Sequence, residues 1–393
     1  MKSTDAVTAY RENLPPGDLI DFPYTRLDRL DIPAYSTAFW PEEGAFCNGL
    51  GYGTSEAEAM TSAFGELFES AAAGNRLPLM PRVNGSYNEL ARRYGDDGVL
   101  DPVEACLEAG TAYDHDRVLD WVEARRFPER TAVLVPVELA ATRFADLLPA
   151  EQERERLLTP ITNGLGAGPS LEHALSHALL ELVQRDGNSV DYRALDRGIA
   201  VDAATTDPET RDLLMHLDDE DVEIIVKLAT SDLGMANFYV VGYDRNPKDA
   251  PHPLALSACG EAAHPNREIA LRKSLLEYVA ARARKLFNHA PLEAMQSIAP
   301  LATSTAFAIT LSAAKKNVRS RRCSGGSPSL PGGCTNCWKT PSTRSAPASR
   351  SRISPTPTST RETGRRCWQW WWNVCTTPTS MYSTWTIRPL AVR

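Results

Sequence analysis

The chain lacks any apolar run long enough to span a membrane. Its opening residues, MKSTDAVTAYRENLPPGD, carry acids and contain no apolar stretch of the secretory kind. Both absences lead us to expect a cytoplasmic protein with no membrane partner. Positive charge is also in deficit. The 393 residues hold 50 Asp and Glu against 42 Lys and Arg, a net charge of −8, which argues against a nucleic-acid partner. No Gly-x-x-x-x-Gly-Lys-Ser/Thr occurs, so a P-loop is excluded. The Gly-x-Gly runs present do not sit in a strand–turn–helix unit with an acid at dinucleotide-binding distance.

One absence is local. After Glu293 the only acid is Glu362. Six of the eight tryptophans (Trp338, Trp368, Trp370, Trp371, Trp372, Trp385) and five of the eight cysteines (Cys323, Cys334, Cys337, Cys367, Cys375) fall in this stretch. Its remainder, as in SRSRISPTPTSTRETGRR, shows no helical or strand period. Three readings compete: a disordered basic tail, a metal site at Cys334 and Cys337, and translation out of frame from near Leu301. Disorder is poor in Trp and Cys, and the Cys pair has no second pair at zinc spacing, so the frame shift is preferred. The chain thus divides into a body, residues 1–300, and an aberrant tail, residues 301–393. The body has three cysteines, Cys47, Cys106 and Cys259. They are expected to be small buried apolar residues.

What is present is an internal repeat. Residues 48–53 read Asn-Gly-Leu-Gly-Tyr-Gly and residues 163–168 read Asn-Gly-Leu-Gly-Ala-Gly. Each precedes a helical pattern, TSEAEAMTSAFGELFES and PSLEHALSHALLELVQR, aligning Ala59 with Ala174, Ala63 with Ala178 and Glu66 with Glu181. A looser third copy, NREIALRKSLLEYVAAR, puts Ala270 and Glu277 at the same places. Ser55 and Ser170 stand where an N-cap hydroxyl is wanted. The glycines before each helix permit a tight turn and the approach of a ligand to the backbone, where free N–H groups favour an anion.

Ser62, Glu66 and Glu69 lie at i, i+4 and i+7 and so share a helix face. His177, Glu181 and Gln184 occupy the equivalent places in the second helix, and Lys273, Glu277 and Ala280 in the third. Each glutamate taken alone reads as a solvated rim residue. The same acid in three related helices, set among apolar neighbours, reads instead as carboxylates converging on a cation. Mg²⁺ with a polyphosphate suits such a site, and phosphoryl transfer there needs positioning and charge neutralisation more than a protein nucleophile.

Three segments carry a family resemblance. The pattern Ser62-x-x-x-Glu66-x-x-Glu69 resembles the first ATP-binding motif of the YcaO family. TNGLGAGPSLEHALSHALLELVQRD resembles its central signature, and Glu268 to Arg282 its third motif. The resemblance covers roughly residues 15 to 300. It implies ATP and Mg²⁺ as cofactors, with Glu66, Glu69, Glu181 and Glu277 as catalytic and Mg²⁺-facing carboxylates. It implies that Ser62, His177, Gln184, Arg185, Lys273 and Arg282 contact nucleotide. The implied activity is O-phosphorylation of a peptide or protein backbone amide, on the way to an azoline, thioamide or amidine. A ThiF-like or TfuA-like partner protein and a homodimer are compatible with it. The chain departs from the family pattern at Ser70 (usually Arg), Pro169 (usually Asn), His173 (commonly Glu), Gln184 (usually Glu) and Lys273 (usually Arg). These departures motivate an alternative, a non-catalytic scaffold that binds a peptide and presents it to a partner enzyme.

Strands are expected at Thr131 to Ala140, Val222 to Leu228, Asn237 to Tyr243 and Leu254 to Ala258 from their β-branched and aromatic content. Pro208 to Glu220 reads as a surface helix, and Trp40 and Trp121 as core or rim residues. The expected fold is α/β, mixed with α+β character: a YcaO-like fold with repeated helix–strand units around one ATP cleft.

Overall fold

The computed structural model describes residues 3–300 apart from 106, 108–109, 190–198, 203–205, 232, 249–256, 290–291 and 299, together with residues 373–374 and 385–386. Helix α1 (Ser3–Glu12) leads into three strands, β1 (Gly17–Pro23), β2 (Ala34–Pro41) and β3 (Cys47–Tyr52), and then helix α2 (Glu56–Arg76). The strands form an antiparallel sheet with β2 central. Ser55 caps α2, its hydroxyl accepting from the Glu58 amide. Ala59, Ala63, Phe64, Leu67, Phe68 and Ala71 are buried, the stripe an amphipathic helix turns to its core.

The glycine-rich run is therefore a strand and not a turn, and its glycines serve a different purpose from the one expected. A Cβ on Gly49 would lie 2.1 Å from the Ala63 carbonyl oxygen, and one on Gly51 would lie 2.0 Å from that of Ala59. What approaches the backbone here is helix α2, packed so closely that no side chain fits between. Strand β7 (Leu165–Gly166) repeats the arrangement before helix α6 (Leu171–Asn188): a Cβ on Gly166 would lie 2.0 Å from the Ala174 oxygen. Ser170 caps α6 through the His173 amide.

Between these copies sits a small module: β4 (Val83–Ser86), α3 (Tyr87–Tyr94), β5 (Val118–Arg125), β6 (Ala132–Pro136), α4 (Val137–Ala140) and α5 (Pro149–Gln152). Strands β4, β5 and β6 form an antiparallel sheet over a core that includes Leu90, Leu100, Val122 and Leu157. Trp121 is fully buried there, its indole N–H donating to the Gly85 carbonyl at 2.9 Å. The strand expected through Ala140 ends at Pro136, because proline has no N–H to continue the ladder, and Val137–Ala140 turn into a helix instead.

The second half holds β8 (Ile199–Ala200), α7 (Pro208–Asp219), β9 (Val222–Thr230), β10 (Ala236–Asp244), β11 (Ser257–His264), α8 (Arg267–His289) and α9 (Leu292–Gln296). The sheet order is β11-β10-β9-β8, all antiparallel. The strand expected from Leu254 begins among the described residues at Ser257 and runs on to His264. Gly260 repeats the glycine device, since a Cβ there would lie 2.1 Å from the Ser274 carbonyl of α8. Cys47 is buried as expected, but Cys259 is exposed, because alternation along β11 turns it outward. Cys106 lies outside the described residues. Three helix–strand units thus recur within a mixed fold whose sheets are antiparallel.

Of residues 301–393, four are described. β12 (Asn373–Val374) pairs with β13 (Trp385–Thr386), and β13 pairs with β7, Trp385 opposite Gly166 and Thr386 opposite Leu165. The rest of the tail, with the Cys334–Cys337 pair and the tryptophan run, lies outside the described residues. Among the described residues no helix is long and apolar enough to cross a membrane.

Candidate functional site

Helices α2 and α6 each bond a glutamate to the glycine-rich segment that precedes them. Glu66 on α2 accepts a 2.7 Å hydrogen bond from the Leu50 amide of β3. Glu181 on α6 accepts one of 2.6 Å from the Gly164 amide, just before β7. Glu69 reaches across copies, its Oε1 accepting from the Ala167 amide at 3.0 Å. These N–H groups hold the carboxylates in fixed directions, as charge-assisted bonds do.

The four expected glutamates share one electrostatic neighbourhood, Glu66, Glu69 and Glu277 each being raised in part by the charge of Glu181. Glu66 is raised above its ordinary value by burial and by the charge of Glu181, against the Leu50 amide and Arg284. Glu69 is raised well above it by burial, then by Glu181 and Glu66. Burial also raises Glu181. Glu277, on α8, is pushed up to about 8 by burial first and then by Glu261, with Arg185 and Lys273 opposing. The Tyr52 hydroxyl donates to Glu277 at 3.5 Å, joining the end of β3 to α8. Glu66 nevertheless remains an exposed residue. Desolvation with surface left open is what a carboxylate on a cleft wall experiences.

Cations stand among these acids. Arg185 spans Glu181 (3.4 Å) and Glu261 (3.3 Å), and its Nε is buried with no hydrogen-bond partner. Lys273 is lowered by burial, with Glu277 opposing. His177 is pushed down to about 4 by desolvation and by the charges of Lys273 and His173, although its side chain is 47% exposed. Its Nε2 lies 3.6 Å from Glu69. Gln184 hydrogen-bonds Glu261. Ser62 is exposed on α2 one turn before Glu66.

Arg282 does not join them. Its side chain is 2% exposed, bonded to Asp28 at 2.6 Å and to Asp244 at 2.7 Å. A guanidinium buried between two carboxylates serves the fold, so its expected nucleotide contact is corrected. Glu261, Tyr52 and Arg284 belong to the site's surroundings and were not singled out from the sequence. Glu261 follows Gly260, whose repeat equivalent is Gly49, and the glycine pattern was the signal that could have located it.

The arrangement can neutralise a polyanion. Among the described residues no three His, Cys, Asp or Glu side chains are placed to hold a metal ion unaided. The donor set fits Mg²⁺ completed by phosphate oxygens and water, its usual mode at nucleotide sites. The unsatisfied Nε of Arg185 is a donor available to such a ligand.

The chain is 30% identical over 265 residues to an uncharacterized protein of Methanothermobacter thermautotrophicus, covering 67% of this chain and 64% of that protein. It resembles a solved heterocyclase in complex with substrate and cofactor, with a TM-score of 0.57 and 19% identity over 75% of this chain and 41% of that one. It also resembles YcaO from Methanopyrus kandleri bound with AMPPCP and Mg²⁺, with a TM-score of 0.51 and 20% identity over 74% of this chain and 69% of that one. At these identities the solved structures speak to the fold. The YcaO family model, described as YcaO cyclodehydratase, ATP- and Mg²⁺-binding, matches residues 50–326, running past the expected boundary at Leu301. With more than half its length so matched, the chain belongs to the YcaO family, and its cofactors are ATP and Mg²⁺.

Proposed function

We propose that this protein activates a backbone amide of a peptide or protein by O-phosphorylation, toward an azoline or thioamide product. The observation that carries the reading is the electrostatic grouping of Glu66, Glu69, Glu181 and Glu277 from three helices, the first three held by main-chain amides and Glu277 by the Tyr52 hydroxyl, with Arg185 and Lys273 among them. In this reading the four glutamates share Mg²⁺ with phosphate oxygens, while Ser62, His177, Gln184, Arg185 and Lys273 face the nucleotide. When bound, ATP and Mg²⁺ supply the phosphoryl group and the charge that steadies its transfer. The chain's own part is preorganisation. Carboxylates already bonded to Leu50, Gly164 and Ala167 need no reorientation when the ligand arrives. Lys273 and Arg185 offset the phosphate charge, and the downward shift of His177 keeps it from adding to theirs.

The heterocyclase with its substrate and the Methanopyrus protein with AMPPCP and Mg²⁺ support this reading by fold alone. A cytoplasmic setting, a homodimer and a ThiF-like or TfuA-like partner belong to the same proposal, as does a YcaO-like domain over residues 1–300. Isothermal titration of the full chain with ATP, with and without Mg²⁺, tests it together with phosphate release. Mg²⁺-dependent binding is expected. A folded chain that binds no nucleotide would overturn the reading, and binding without turnover beside retained peptide binding would leave a scaffold.

A further inference from the structure

We propose that Glu261 is a positioning residue of the nucleotide site, supplying from β11 the carboxylate that α6 lacks at Gln184. The inference rests on the functional reading above and concerns a residue outside the repeat helices.

The three repeat units are not chemically equal. On α2 the positions i and i+3 are both acids, Glu66 and Glu69; on α6 they are Glu181 and Gln184. The second unit is therefore one negative charge short of the first. The strands differ in the opposite sense. Gly49 packs against Ala63 and Leu67 of α2, and Gly260 packs the same way against Ser274 and Tyr278 of α8, so the residues that follow them, Leu50 and Glu261, are equivalent. Gly51 and Gly166 pack against Ala59 and Ala174 in the same manner, which makes Leu165 the third equivalent. Two copies carry leucine at this place and the third carries glutamate.

That glutamate lies beside the position that lost its acid. The Glu261 side chain is 12% exposed, its Oε1 lies 3.3 Å from Nη1 of Arg185, and it is hydrogen-bonded by Gln184. Arg185 is thereby held between acids of two units, Glu181 through Nη2 and Glu261 through Nη1, with Nε left without a partner. A guanidinium pinned at both terminal nitrogens keeps one orientation, which suits recognition of a phosphate. A carboxylate set on a strand among leucine equivalents has no packing reason to be there, since burying it costs free energy unless it is paired. Glu261 acts through Arg185 and Gln184, which accounts for an amide at position 184: Gln184 donates to Glu261, and a second carboxylate there would repel it.

The test is a charge exchange in the full-length chain, read by isothermal titration with ATP and Mg²⁺ and by the nucleotide-induced rise in Tm. Glu261→Gln is expected to weaken Mg²⁺–ATP binding about tenfold, the scale of one lost charge-assisted bond. The double variant Glu261→Gln/Gln184→Glu returns the charge to Arg185 from the other side. It is expected to recover binding to within about threefold of wild type, a difference well under 1 kcal/mol. A merely structural role would not produce this recovery. Unchanged binding in Glu261→Gln, or weak binding that the double variant does not restore, would overturn the inference alone. No Mg²⁺–ATP binding by the wild-type chain would overturn the functional reading and this inference with it.

Discussion

Nε of Arg282 donates to Oδ2 of Asp28 at 2.6 Å, tying α8 to the segment between β1 and β2 across 254 residues of chain. Asp244, at the end of β10, takes the Nη1 atom of the same guanidinium at 2.7 Å, and Arg29 adds a second cation to Asp244 at 2.9 Å. Two acids and one arginine are buried here to within a few per cent. The network joins the connection between β1 and β2 to the β8–β11 sheet, and so sets where α8 stands.

Arg282→Met is expected to cost about 3–5 kcal/mol of stability, because Asp28 and Asp244 are left buried without their shared cation. Urea unfolding measures it. The remaining folded protein should bind Mg²⁺–ATP with wild-type affinity. An affinity loss with stability intact would return Arg282 to the nucleotide site.

Acid should erase the contribution of Asp244. Burial by itself would raise this carboxyl, but the bonds from Arg29 and Arg282 outweigh burial and hold it below its ordinary 3.8. A folded-state value below the unfolded one means stabilisation that is complete above the unfolded value and lost as pH falls through the folded one. The stability deficit of Asp244→Asn against wild type should therefore be full at pH 7 and shrink below about pH 4. A deficit constant down to pH 2.5 would refute this.

Glu69→Gln should separate activity from stability. Glu69 stands in the field of Glu181 and Glu66, which raises it well above the usual carboxylate range after burial has done so. Removing its charge relieves that repulsion while the amide oxygen can still accept from Ala167. We expect an unchanged or higher Tm without ligand, with ATP turnover down about a hundredfold, the scale of one lost transition-state contact. A fall of Tm with turnover intact would mark Glu69 as structural.

Gly51→Ala should fail by sterics alone. The added Cβ would sit 2.0 Å from the Ala59 oxygen and 2.1 Å from the Ala63 nitrogen, both main-chain atoms that cannot rotate away. Displacing β3 from α2 should cost about 3 kcal/mol or more. It should also weaken the Leu50–Glu66 bond, so nucleotide affinity falls with stability. Thermal melts and titration on the same sample measure both.

The repeat was legible because it is local. Ala59, Ala63 and Glu66 recur with one spacing as Ala174, Ala178 and Glu181, and helix periodicity converts that spacing into a shared face whatever the surroundings. Ser55 and Ser170 announced their helices for the same reason. The convergence of Glu66, Glu69, Glu181 and Glu277 followed from the repeat's symmetry. The purpose of the glycines did not. A glycine permits close approach, but only the packing of α2 on β3 and of α8 on β11 says that the approaching body is a helix. Arg282 and Glu261 were decided by tertiary structure alone. Arg282 shares a helix with Glu277 and a family motif with it, yet Asp28 and Asp244 arrive from distant parts of the chain to bury it. Glu261 looks like an ordinary strand residue until α6 brings Arg185 and Gln184 against it. Sequence spacing determines which residues share a face, whereas the charges that meet that face come from elements far apart in the chain, and only folding sets their distance.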